Sequence, residues 1–168
     1  LLSPKPPYDI PLWMLGSSQD SAVLAAQRGL PYNLGLFINP QADRRLIRLY
    51  KQHFVPSEMN PKPYAILALT VCCADTEEQA QRLQHTHDVN FIRFISGQHN
   101  GIYMPPEEAA AYPLDHNAQA YLAGIRPSRA VGTPDQVRQK LTALATEFDA
   151  DEIGVPSTTY NGPLFPKD

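Results

Sequence analysis

A short apolar segment followed by a polar turn and a helical pattern recurs along this chain, and this alternation limits the possible folds most. In the first such segment, at 12–31, four apolar residues precede Gly16 and a run of small polar residues. An alanine-rich stretch then favours a helix that ends near Gly29. Strands that alternate with helices pair in parallel, because each helix returns the chain to the same end of the sheet. The sequence therefore predicts an α/β fold.

The strand patterns give the extent of that fold. The segment 64–73 is almost entirely apolar, which is typical of a parallel strand covered on both faces. A helix is expected from near Gln41, and its apolar residues recur at helical spacing from Leu46 to Phe54. Helix patterns follow the first three of four predicted strands, which lie at 12–15, 32–38, 64–73 and 152–155.

Capping residues mark the helices of the second half. Thr76 with Gln79 fits a capping box, and Thr133 with Gln136 fits another at the start of a helix predicted over 131–148. The intervening stretch is irregular and rich in glycine and proline, with short helices expected at 106–111 and 116–123. It is therefore predicted to be an insertion, at about 96–130, before the last helix and strand.

The turn after the first strand is the strongest candidate for a binding site. Ser17, Ser18 and Ser21 lie where a strand passes into a helix. A helix N-terminus offers unpaired N–H groups and a partial positive charge, so this turn is suited to a phosphate. The same residues also fit an ordinary helix cap, with Ser18 or Asp20 as the N-cap, and that alternative stays open.

Other chemical motifs are missing from the sequence. It has no G-x-G-x-x-G turn, no Walker lysine motif and no C-x-x-C pair, and Gly16-Ser17-Ser18 lacks the second glycine of a nucleophile elbow. His85 and His87 are two positions apart and do not share a helix face, so no metal site is predicted. The basic residues around Arg48 are expected to form a solvated helix face.

Composition excludes several classes of partner. The net charge is −3 and 18% of the 168 residues are charged, without a basic patch, so nucleic acid is not expected as a partner. No apolar run approaches the roughly 20 residues of a membrane span, and LLSPKPPYDIP lacks the pattern of a signal peptide. A cytoplasmic location is predicted.

The order of these motifs resembles the C-terminal half of the bacterial luciferase-like flavin-dependent monooxygenase family. After the serine turn come a helix ending in AAQRGLP, a short strand, an Asn-led loop, and then ADTEEQA and VGTPDQV in the family's order. The resemblance implies the C-terminal half of a (β/α)8 TIM barrel, with four parallel strands in a single domain over 1–168. A complete barrel needs about 250 residues.

The resemblance also implies a reaction. In it, reduced FMN supplied by a flavin reductase is used to insert oxygen from O2 into a small organic substrate. The resemblance implies that Ser17, Ser18 and Ser21 bind the phosphate of FMN and that Leu15 and Gly16 approach the flavin. In luciferase itself an acidic residue takes the position of Ser17, so this chain departs from the pattern there.

The resemblance places the catalytic residues in the N-terminal half, so none is identified in this chain, and the chain alone is predicted to be inactive. His99, Tyr103 and His116 of the insertion are expected near the substrate. Two alternatives keep the same turn: a non-catalytic half-barrel that binds flavin or serves assembly, and a deazaflavin-dependent oxidoreductase. An open half-barrel exposes strand edges and an apolar inner face, which predicts a homo-oligomer.

Overall fold

The computed structural model describes residues 10–98 and 101–156. His99 therefore lies outside the described residues. Within the described ranges, no helix is both long enough and apolar enough to cross a membrane.

The described elements fall into two compact units, one formed by residues 10–68 and 145–153 and the other by the described residues of 69–144 and 154–156. The single domain expected over 1–168 stays a prediction. The elements, in chain order, are β1 (Met14–Gly16), α1 (Gln19–Gln27), β2 (Tyr32–Gly35), α2 (Leu46–His53), β3 (Ala65–Ala68), β4 (Val71–Cys73), α3 (Glu77–Ile95), α4 (Pro106–Ala110), α5 (His116–Ile125), a 3-10 turn (Arg126–Ser128), β5 (Ala130–Gly132), α6 (Pro134–Phe148) and β6 (Glu152–Gly154).

The first unit is built on a sheet whose strands lie in the order β1, β2, β3 and β6. β1 pairs with β2 and β2 with β3, both in parallel, so that Met14 lies opposite Tyr32 and Tyr32 opposite Ala65. Parallel pairing follows because α1 and α2 carry the chain back to the starting end of the sheet. The carboxyl ends of these strands, and the turns that follow them, therefore lie at the same edge of the sheet.

One face of this sheet packs against α1 and α2. Tyr32, Leu34 and Leu67 point to that face and are fully buried. Small side chains let α1 approach the strands closely, and three alanines at helical spacing face the sheet without exposure: Ala22, Ala25 and Ala26. This layer is the core of the first unit.

The other face of the sheet carries a different set of residues. Leu15, Asn33 and Ile66 lie in register across β1, β2 and β3, on the face opposite to Leu34. Leu15 is 49% exposed and Trp13, two residues before it, is 44% exposed. Within the first unit the two helices thus cover only one face.

The second unit pairs β4 with β5 in parallel, with Val71 opposite Ala130. The fully buried Asp88 of α3 forms ion pairs with Arg129 and, at 3.2 Å, with Arg126. These arginines lie just before β5, so α3 fixes the position at which that strand begins.

The start of the insertion is also bound to α3. The Asn90 side-chain carbonyl accepts the N–H of Met104 at 2.7 Å, and its NH2 group donates to the Met104 carbonyl at 3.1 Å. The His85 ring nitrogen lies 3.0 Å from the Ala109 carbonyl of α4. The two short helices expected in the insertion are present as α4 and α5.

The structure differs from the predicted strands at the segment 64–73, which forms β3 and β4 instead of one strand. The chain changes hydrogen-bond partners there, because the Ala68 carbonyl accepts the N–H of Leu36 whereas the Thr70 carbonyl accepts that of Ala130. The partner strand, β5, was not predicted. It takes the residues where the last helix was expected to begin, so α6 starts at Pro134.

The helix expected from near Gln41 also begins later, at Leu46. A turn occupies the preceding residues, because the Asp43 carboxylate accepts the N–H of Arg45 at 2.8 Å. Short polar side chains that bond to the backbone two residues ahead favour such turns over helix.

The end of α1 is a Schellman motif centred on Gly29. The N–H of Gly29 donates to the Ala26 carbonyl at 3.1 Å and that of Leu30 to the Ala25 carbonyl at 3.0 Å. Gly29 has a φ of +58°, and a Cβ placed on it would lie 2.6 Å from the Val55 carbonyl oxygen. A side chain is therefore excluded both by backbone conformation and by space.

We expect Gly29→Ala to lower the free energy of unfolding by about 2–4 kcal/mol, because left-handed strain and overpacking add. Gly97, which ends α3 with a φ of +71°, is the matched control, since nothing lies within 4 Å of its added Cβ. Gly97→Ala should cost only about 1 kcal/mol. Urea denaturation followed by circular dichroism measures both, and equal losses would contradict the steric part.

His87 of α3 should make stability depend on pH. Burial, and then the positive charge of Arg129, lower the pKa of His87 from 6.5 to about 4 in the folded chain. The unfolded chain therefore binds more protons between these pH values, and its population rises as the pH falls through them.

The free energy of unfolding should fall by about 1–3 kcal/mol between pH 7 and pH 4, on top of the contribution of the carboxylates. His87→Gln should remove that part of the slope, measured by urea denaturation at several pH values. An unchanged slope in the variant would show that another group is responsible.

Candidate functional site

The predicted binding turn joins β1 to α1 in the first unit and is closed by two serines. Ser18 is the N-cap of α1, with an extended backbone (φ −121°, ψ 162°). Its hydroxyl oxygen accepts the N–H of Ser21 at 3.2 Å, and the Ser21 hydroxyl oxygen accepts the N–H of Ser18, also at 3.2 Å. Of the two caps considered, Ser18 is the one observed, and it forms a reciprocal capping box.

Ser21 is in turn connected to the strands. Its hydroxyl donates to the Ser18 carbonyl at 2.8 Å and lies 3.3 Å from the hydroxyl of Tyr32. The Tyr32 hydroxyl lies 3.3 Å from the carbonyl of Gly16, to which it can donate. A Cβ on Gly16 would overlap the Ser21 side chain, so the turn requires glycine at this position.

The bonding of the two capping serines determines which donors stay available to a ligand. The single proton of the Ser21 hydroxyl is directed at the Ser18 carbonyl. Within the described ranges, no hydrogen-bond partner is found for the Ser17 hydroxyl or for the N–H groups of Gln19 and Asp20, the first two residues of α1. These groups form a set of unpaired donors at a helix N-terminus, which suits the oxygens of a phosphate. The Ser18 hydroxyl, in contrast, donates to the Ser21 hydroxyl oxygen at 3.3 Å.

A groove of about 390 Å³ adjoins the start of α1 and is bordered by Gln19 and by the first two turns of α2. Arg45 on its rim is held by Asp43, with 2.7 Å between the guanidinium and the carboxylate, and this hydrogen bonding lowers the pKa of Asp43 to about 2. Arg48 also borders the groove and forms no ion pair with any residue that the structure describes. The basic face predicted as solvated thus partly faces a concave surface.

Leu15, predicted to approach the flavin, lies on the exposed face of the sheet one residue before the turn. Its neighbour in register is Asn33, whose side-chain oxygen is buried without a hydrogen-bond partner among the described residues. Buried polar atoms without partners are uncommon. Asn33 was not predicted as a site residue, and its one signal in the sequence is a polar residue within the apolar strand YNLGLFI.

Two of the residues predicted near the substrate, Tyr103 and His116, belong to the second unit. The Tyr103 hydroxyl lies 3.5 Å from the nearer ring nitrogen of His87, and burial raises the pKa of Tyr103 to about 12. His116 is the exposed first residue of α5. Their predicted role stays a prediction. In the described part of the chain, no three histidine, cysteine or acidic side chains converge on a point where a metal ion could bind.

Two adjacent serines give a test of this geometry. Ser18→Ala removes the N-cap hydroxyl, and we expect the free energy of unfolding to fall by about 1 kcal/mol. Ser17→Ala removes a hydroxyl without a partner among the described residues, so it should change stability by less than about 0.5 kcal/mol. Chemical denaturation of both variants measures the difference, and a larger loss for Ser17→Ala would contradict the capping geometry.

Comparison of the sequence with known proteins points to one family. A sequence model of the family described as luciferase-like monooxygenase matches residues 1–151. The "Luciferase-like monooxygenase" of Escherichia coli (strain K12) is 33% identical over 164 residues, which cover 96% of this chain and 47% of that protein. The chain therefore spans about half the length of the relatives that it matches.

Solved structures show the same relation. The crystal structure of apo-MsnO8 is 37% identical to this chain, with a TM-score of 0.81, and the match covers 95% of this chain and 48% of that one. The oxygenating constituent of 3,6-diketocamphane monooxygenase from Pseudomonas putida, solved in complex with FMN, shares the fold at a TM-score of 0.50 and 22% identity. That match covers 85% of this chain and 40% of the other.

Proposed function

The chain belongs to the luciferase-like monooxygenase family, and we propose that it is the phosphate-binding half of a flavin-dependent monooxygenase. The complete enzyme would use reduced FMN to insert oxygen from O2 into a small organic substrate. The observation that carries this proposal is the set of unpaired donors at the start of α1, which is held in place by the Ser18–Ser21 capping box.

The residues of the turn fit the phosphate of FMN by chemistry as well as by position. The Ser17 hydroxyl and the N–H groups of Gln19 and Asp20 are unpaired donors, and a phosphate offers acceptors. The Ser18 hydroxyl would join them by turning its proton from the Ser21 oxygen to the phosphate. The dipole of α1 adds favourable charge at the same point. The 3,6-diketocamphane enzyme, which shares the fold, was solved with FMN, and this supports the choice of cofactor.

The strand before the turn would meet the rest of the cofactor. Leu15 offers an exposed apolar side chain and Gly16 offers backbone without a side chain. When bound, reduced FMN supplies the electrons for the reaction with O2, while the protein binds it, orients it and excludes water. We propose that the groups acting on substrate lie outside this chain, which would then be inactive alone.

Partners follow from the exposed sheet face and from the family. Trp13 and Leu15 leave apolar surface on the face of the sheet that α1 and α2 do not cover, so we propose that the chain forms a homo-oligomer. A flavin reductase is proposed as the source of reduced FMN. Cys72 and Cys73 are free thiols, which accords with the proposed cytoplasmic location.

An anaerobic titration of the chain with reduced FMN, followed by calorimetry, tests the proposal. We expect saturable binding, with weaker binding of reduced riboflavin, which lacks the phosphate. Ser17→Ala and Ser18→Ala should each weaken FMN binding by roughly 3- to 10-fold, as expected for one hydrogen bond to a charged group. Ser57→Ala is the matched control, because the Ser57 hydroxyl donates to the Gly29 carbonyl in the same unit but away from the turn.

Three outcomes would contradict the proposal or part of it. Equal affinities for reduced FMN and reduced riboflavin would show that the turn does not bind the phosphate. Tighter binding of a reduced deazaflavin would favour the deazaflavin-dependent alternative. Binding of FMN without oxygenation, once the chain is joined to an N-terminal half from a relative, would favour a non-catalytic flavin-binding module.

A further inference from the structure

We propose that Tyr32 is a positioning residue for the phosphate turn, and that its hydroxyl holds the Ser18–Ser21 capping box in place relative to the end of β1. The proposal rests on the proposed function, because it concerns the same phosphate. It assigns a role to a strand residue that lies outside the turn and offers no contact to the ligand itself.

The position of Tyr32 supports this role. Its side chain is fully buried between the sheet and the helices, and its hydroxyl lies 3.3 Å from both the Ser21 hydroxyl and the Gly16 carbonyl. The backbone of Tyr32 lies opposite Met14 in the parallel pairing of β1 and β2, so its position relative to β1 is fixed. One phenol thus connects the strand before the turn, the helix after it and the neighbouring strand.

The hydrogen-bond capacity of these groups shows why the connection matters. Ser21 uses its proton on the Ser18 carbonyl and accepts the N–H of Ser18, so its bonds within the box are local to the turn. The Tyr32 hydroxyl joins this box to the sheet. Because the Ser21 proton is used on the Ser18 carbonyl, the bond is made by the single Tyr32 proton, which can be donated to the Ser21 oxygen or to the Gly16 carbonyl, each 3.3 Å away. Without it, the box keeps its internal bonds but loses this attachment to β2.

The chemistry of Tyr32 suits a position behind an anion site. Burial raises the pKa of Tyr32 above its ordinary value of 10, so the phenol is neutral at physiological pH. It can therefore brace the donors without adding negative charge close to a phosphate. Removal of its hydroxyl should affect the phosphate alone, because the isoalloxazine ring is not held by the capping box.

Tyr32→Phe tests this inference, with Tyr50→Phe as the matched control. Tyr50 is also fully buried in the first unit, and its hydroxyl donates to the Leu30 carbonyl at 3.0 Å and accepts the N–H of Tyr64 at 3.1 Å. The readout is the ratio of the Kd for reduced riboflavin to the Kd for reduced FMN, measured anaerobically with the full chain. A general loss of stability changes both Kd values and leaves their ratio alone.

We expect Tyr32→Phe to lower this ratio by roughly 3- to 10-fold, the size expected for one hydrogen bond, and Tyr50→Phe to leave it unchanged. Because Tyr32 acts through Ser21, Tyr32→Phe should have no further effect in a Ser21→Ala background. If Tyr32→Phe does not fold, Ser21→Ala alone should lower the ratio by a similar factor.

Three results would overturn the positioning role of Tyr32. A wild-type ratio above one that Tyr32→Phe leaves unchanged would overturn the positioning role and keep the proposed function. Additive effects of Tyr32→Phe and Ser21→Ala would likewise overturn it. A wild-type ratio of one would instead remove the phosphate site, and both proposals with it.

Discussion

The candidate site depends on the absence of a side chain at Gly16. Because Gly16 has no side chain, the Ser21 side chain can occupy the volume beside the strand end, where it meets Ser18 and the hydroxyl of Tyr32. The first turn of α1 therefore starts at a fixed point relative to β1. The position of this first turn determines where the N–H groups of Gln19 and Asp20 point and how the dipole of the helix is oriented.

The parallel sheet supplies the second condition. Parallel pairing of β1 with β2 brings their carboxyl ends to one edge, where ligands of α/β proteins commonly bind. The same pairing places Tyr32 beneath the turn and puts Leu15 beside Asn33 on the exposed face. Residues far apart in sequence, such as Leu15 and Asn33, thus lie side by side.

The sequence predicted the fold better than the details of the site. Apolar runs and capping residues are local signals, so the α/β fold, the α1 stop at Gly29 and Ser18 as one of two N-cap candidates could be predicted. β5 could not, because three residues of strand carry too little pattern and depend on pairing with β4. The proposed role of Tyr32 could not be predicted for a related reason. An aromatic residue in a strand is expected in the core, and its contact with Ser21 depends on the pairing of β1 with β2.

The attachment of the insertion to α3 has a consequence for how the chain can change. Asn90 binds the backbone of Met104 near the start of the insertion, and Asp88 binds Arg126 and Arg129 at its end. Because Asp88 and Asn90 are two residues apart, the two ends are held within one turn of one helix. Since the entropy of closing a loop grows by only about 0.6 kcal/mol for each doubling of its length, the intervening residues are free to diverge in length and sequence while β4 and β5 remain paired.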